Sequence, residues 1–63
     1  MTVKELLRVC PKLEKISFIH DNCIIEEIDC NAPYSFRQVA KHYDEKVLRV
    51  FAMAEDEIRI DSK

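Results

Sequence analysis

Sixty-three residues make one domain, close to the lower limit of what folds without a metal, a disulfide or a partner. Hydrophobic residues at 48% and charged ones at 35% are a globular balance that argues against wholesale disorder, and a net charge of -2 with no basic block supplies no run of cations for a duplex backbone. Glycine is absent, which removes phosphate loops, dinucleotide fingerprints and nucleophile elbows, because each needs a residue that reaches positive φ or lets backbone approach a ligand.

In chain order, Thr2 and Glu5 form a T-x-x-E capping box, so a helix should start there. Val3, Leu6, Leu7 and Cys10 recur at helical spacing, and Pro11 should end the helix near Cys10. From Leu13 to Cys30 the sequence reads as a hairpin turning at Asp21-Asn22, residue types that tolerate left-handed backbone in place of glycine. A two-residue turn would pair His20 with Cys23 and Phe18 with Ile25, leaving Ile19 and Ile24 on the other face, but one turn residue more or less would exchange the buried set. Pro33 leads into a second helix, with Ser35 and Gln38 as a capping box and Phe36, Val39, Ala40 and Tyr43 as its inward stripe, ending near Asp44-Glu45 or giving way sooner to an irregular link.

The segment from Lys46 to Asp61 reads as the hub. Leu48, Val50 and Ala52 share one side of a strand, the acidic turn Glu55 to Glu57 follows, and Ile58 and Ile60 resume the alternation. Val47, Arg49, Phe51 and Met53 fall on the opposite side, so the strand is apolar on both sides and needs two partners. The expected class is α+β: a small antiparallel sheet of about four strands with two short helices, in the order α-β-β-α-β-β, as a single domain over residues 1–63.

Aromatic, Met and Arg side chains together suit the centre of a protein interface, so Val47, Arg49, Phe51 and Met53 are the leading protein-binding candidates. Against this stands the plainer reading that the helices cover that side. Tyr34, Arg37 and Lys41, with His42, form a second, more polar candidate surface on the outer side of the second helix. His20, Cys23 and Cys30, with Cys10 or His42, carry zinc-ligand chemistry, but only His20-x-x-Cys23 is close, so no metal is expected. A Cys and a His without a pocket to hold them give no catalytic residue, and neither enzyme activity nor a cofactor is expected. Three cysteines without a C-x-x-C pair read as thiols in a reducing compartment. No stretch approaches the roughly 20 apolar residues of a membrane span, and no basic region precedes an apolar one at the N-terminus, so a cytoplasmic location is expected.

The opening T-V-K-E-L-L at Thr2 to Leu7, the alternating hairpin, Pro33-Tyr34 and the closing strand pair together resemble small uncharacterised proteins of Gram-positive bacteria, their phages and mobile elements. The segment from Arg37 to Glu45 is longer here. That resemblance implies a non-enzymatic protein that binds a host protein or effector, such as an inhibitor of a bacterial defence system of the anti-CRISPR kind, through a sheet face or edge. Two alternatives stand beside it: a homo-oligomeric structural or accessory protein, and a nucleic-acid-binding regulator in which Arg37, Lys41, Lys46 and Arg49 converge.

Overall fold

In the computed structural model, which describes residues 1–10 and 12–63, the elements run α1 (Val3–Arg8), β1 (Lys15–His20), β2 (Cys23–Asp29), α2 (Ser35–Ala40), β3 (Val47–Ala54) and β4 (Glu57–Ser62). The expected α+β class and element order are those observed. The first helix ends at Arg8 with Val9 as its C-cap, short of the end expected near Cys10, and Pro11 itself lies outside the described residues. The sheet order is β2-β1-β4-β3, with antiparallel outer pairs and a parallel central pair, so the sheet is mixed where an antiparallel one was expected. The parallel pair forms because β4 enters beside β1 and sets Ile58 and Ile60 against Ile16 and Phe18 on one face. Parallel strands are characteristically covered on both faces, and β1 is buried from Ile16 through Ile19.

The capping box of α1 is as read. Thr2 Oγ1 accepts from the Glu5 amide at 3.3 Å, and the Glu5 carboxylate accepts from the Thr2 amide at 3.1 Å. Six residues are too few for an isolated helix. Tertiary contacts hold this one: Val3 N–H donates to the Glu45 carbonyl at 2.9 Å, Lys4 N–H to that of Tyr43 at 3.2 Å, and Val3 and Leu6 are buried.

The β1-β2 turn also follows the sequence. Asp21 and Asn22 adopt φ of 51° and 65°, the pair of positive angles that a two-residue hairpin turn of matching twist requires, and His20 faces Cys23 as Ile19 faces Ile24. Beyond that the register departs from expectation. Ile25 has no partner across the ladder, and Phe18 pairs with Glu26 instead. This bulge reverses the facing of all that follows: Ile28 enters the core, Glu26 joins the same face, and Ile25 is 57% exposed.

The core is a single layer between the helices and one sheet face, comprising Val3 and Leu6 of α1, Val39 of α2, and Ile16, Phe18, Ile28, Ile58 and Ile60. Phe18, Ile28, Ile60 and Val3 are its fully enclosed members, and burial of such side chains stabilises by about 1.5–3 kcal/mol each. With principal extents of 27 × 23 × 22 Å there is room for one sheet and one helical layer.

The α2 stripe is only partly as expected. Val39 is buried and Tyr43 packs against the core, but Phe36 and Ala40 are exposed. The helix stops at Ala40 because the chain tightens into i to i+3 turns, with His42 N–H donating to Val39 O at 2.9 Å and Tyr43 N–H to Ala40 O at 3.2 Å. Its N-cap is Tyr34, without a side-chain cap; the Ser35 hydroxyl donates to the Cys30 carbonyl at 3.1 Å.

Candidate functional site

Both helices lie on the core face, so the opposite sheet face has no helix over it, although Ser17, Ile19 and Asp61 at its centre are buried by their neighbours. Alternation puts Ser17 and Ile19 of β1, Arg59 and Asp61 of β4, Arg49 and Phe51 of β3, and Ile24 and Glu27 of β2 on it. Ile19, Asn22, Ile24, Phe51, Met53 and Arg59 line a shallow groove there. Phe51 is 40% and Met53 46% exposed, and Ile24 is similarly open.

The four leading candidates from the sequence are not all on this face. Leu48 is unpaired in the β3-β4 ladder, a bulge that sets Val47 opposite Ser62 and packs it against the core. Val47 therefore leaves the predicted surface. Arg49 and Phe51 stay on the open face, and Met53, itself unpaired before the turn, joins Phe51 in the groove. β3 as a whole is an edge strand exposed from Leu48 to Ala54, whereas the strand covered on both sides is β1. Of the segment Lys46 to Asp61 read as the hub, only β4 is central, paired with β1, and β3 lies at the edge because β4 inserts between β1 and β3.

Arg49 is held in place within the chain. Its Nη2 and Nε both donate to Asp61 Oδ2, at 2.8 and 3.0 Å, and its guanidinium carbon stands 5.4 Å from the Phe51 ring centre. The ion pair neutralises the buried Asp61, and the cation over the ring orients Phe51. Arg49 and Lys41 also lie on opposite faces, since Lys41 Nζ contacts Glu26 Oε2 at 3.4 Å on the core side. The basic stripe of a nucleic-acid regulator does not assemble.

His42, expected on the outer side of α2, is instead buried. Its ring stacks on Phe18 with centroids 3.8 Å apart and planes 12° from parallel. Nε2 lies 2.6 Å from Glu26 Oε1 and Nδ1 2.7 Å from Glu45 Oε2. Ionised carboxylates only accept, so with Glu26 and Glu45 both ionised the two contacts are made together by the protonated ring, which donates from each nitrogen. Ser62 completes the cluster by donating to Glu45 Oε1 at 2.6 Å.

Burial works against the His42 cation, but hydrogen bonds and charges from Glu26 and Glu45 outweigh it and hold its pKa above 6.5. The His42 hydrogen bond holds Glu26 below 4.5 against the effect of burial. For Glu45 burial pulls upward, yet the Ser62 and His42 hydrogen bonds leave it below 4.5 as well. Both nitrogens are occupied and the ring is enclosed, so the cluster is a clamp joining β2, β4 and the link after α2. The spacing of α2 residues gave no sign of it; a Glu26 on the Phe18 side of β2 would have been the clue, and the bulge at Ile25 hid it.

The remaining candidates are dispersed. His20 and Cys23 face each other at the hairpin end, Cys10 and Cys30 pack against the core, and among the described residues no three His, Cys, Asp or Glu side chains stand where they could hold one metal ion. Burial pushes the Cys30 thiol above 9.0, with the charge of Asp29 adding to the effect. Tyr34, Arg37 and Lys41 do come together, lining one groove beside α2.

Fold and surface together define a small two-layer α+β module with helices on one side of a four-stranded mixed sheet and a partly apolar open face on the other. No protein-family model, curated protein or solved structure matches the chain. Among the described residues no helix is long and apolar enough to cross a membrane.

Proposed function

We propose that this chain is a non-enzymatic protein-binding module whose open sheet face receives a partner protein. The observation that carries this reading is the groove in which Phe51, Met53 and Ile24 surround the more deeply set Ile19, with Arg59 at its side and no helix over it. Aromatic, Met and Arg groups supply contact area and directed hydrogen bonds at interface centres. The face is favoured over the β3 edge because the bulges at Leu48 and Met53 interrupt the regular ladder of β3, a device that discourages strand addition. The resemblance noted above supports a cytoplasmic host protein or effector as partner, with inhibition of a bacterial defence protein as the biological role.

Self-association through the same face is the second reading, favoured by how little of β3 the chain covers for itself. Phe51→Asp distinguishes the two. The substitution should leave the circular dichroism spectrum intact, since the site is partly exposed and flanked by Arg49 and Arg59. Binding should fall about thirtyfold or more, the loss typical of a central interface side chain. Pull-down from host lysate reads loss of a partner, and light scattering reads loss of an oligomer. Retention of the same partner and the same mass by the variant would sink the assignment of this face.

A further inference from the structure

A second surface lies on the helical side, independent of the open face. Ala32, Pro33, Tyr34, Arg37, Gln38 and Lys41 line a groove along α2. In a chain with twelve acidic residues no carboxylate is among them, so the charges lining the groove are both positive. Arg37 has no ion-pair partner among the described residues. Its guanidinium carbon instead sits 5.5 Å from the Tyr34 ring centre and 5.8 Å from that of Phe36. Those rings are 67% and 65% exposed, so the cation stands against two aromatic rings that the fold itself does not bury.

Tyr34 reaches this position through left-handed backbone, φ 73°, which disfavours a bulky side chain. Nothing in the core accounts for its being a tyrosine. Lys41, the second cation, is partly shared with Glu26.

We propose that this groove docks an acidic segment of a protein partner, one carboxylate meeting the Arg37 fork while a second reaches Lys41 and neighbouring apolar side chains lie on the Tyr34 and Phe36 rings. Two cations match a short segment of one or two carboxylates. A nucleic-acid strand is disfavoured because its successive phosphates would run past the two cations onto the carboxylate of Glu26, which lies 3.4 Å from Lys41 at the end of the groove.

Titration of the isotope-labelled protein by NMR at low salt tests this, with hexaglutamate, hexaglutamine and hexathymidylate as probes. Hexaglutamate should give saturable shifts at the amides of Tyr34, Arg37, Gln38 and Lys41 that added salt weakens, and hexaglutamine should give none. Arg37→Gln should weaken binding about tenfold, the worth of one charge-assisted contact. Lys41→Gln should weaken it less, and Phe51→Asp should leave it unchanged. Absence of saturable shifts, equal affinity in Arg37→Gln, or shifts centred away from α2 would each overturn the proposal. Tighter binding of hexathymidylate would overturn it in favour of a phosphate site.

Discussion

Replacing His42 with alanine is expected to lower the stability of the protein severely at neutral pH. The substitution removes the ring stacked on Phe18 and, more seriously, leaves Glu26 and Glu45 facing each other's charge without the cation that bridges them. Removing one partner of a fully buried ion pair costs about 3–5 kcal/mol, and with both carboxylates here partly exposed the loss should lie near the lower end, still a large share of the about 3–9 kcal/mol that a chain of this length has in all. Lys41 at 3.4 Å from Glu26 and Ser62 at 2.6 Å from Glu45 remain, but neither bridges the two carboxylates. Urea unfolding followed by circular dichroism measures the loss. A midpoint close to that of the unmodified protein would show that the cluster contributes little.

The same cluster sets a pH dependence whose sign follows from the directions of the shifts. His42 is raised above 6.5, so its contribution is complete below pH 6.5 and is lost as pH rises through the raised value. Glu26 and Glu45 are lowered from 4.5, so theirs is present above pH 4.5 and lost as pH falls through the lowered values. Stability contributed by the clamp should therefore be greatest between pH 4.5 and 6.5 and decline on both sides. His42→Gln, which keeps polar contacts but cannot titrate, should flatten the alkaline decline. An alkaline limb of equal steepness in that variant would assign the decline to other groups.

What could be read from residues alone was what local chemistry decides. The Thr2 and Glu5 box depends on two side chains three positions apart, and the Asp21-Asn22 turn on two residues that tolerate positive φ. Neither needs the rest of the molecule. The placement of β3 at the edge was not legible, because Leu48, Val50 and Ala52 look like a buried stripe until β4 is known to lie between β3 and β1. The three unpaired residues, Ile25, Leu48 and Met53, left no mark on composition or alternation. They decided nonetheless which candidates share a face: Leu48 parts Val47 from Arg49 and Phe51, and Ile25 brings Glu26 round to His42. The Phe51 and Met53 half of the open-face groove was visible as a mixed apolar stripe, while Ile19, Ile24 and Arg59 come from strands whose order only the fold fixes.

Because the bulge at Ile25 governs both core and clamp, β2 offers the sharpest comparison of two isoleucines three positions apart. Ile28 is fully enclosed among Ile16, Phe18 and the helices, so Ile28→Ala should lose about 2–5 kcal/mol through lost burial and the cavity left behind. Ile25 is largely exposed and unpaired, and Ile25→Ala should change stability by no more than about 0.5 kcal/mol. A regular ladder continuing from the turn would pair Phe18 with Ile25 and send Ile28 to the open face, reversing the order of the two effects. Deleting Ile25 should be tolerated better than its position in the strand suggests, since Glu26 would then follow Ile24 directly and still face Phe18, keeping His42 clamped. Urea midpoints for the three variants decide the matter, and an Ile25→Ala cost exceeding that of Ile28→Ala would exclude the bulged register.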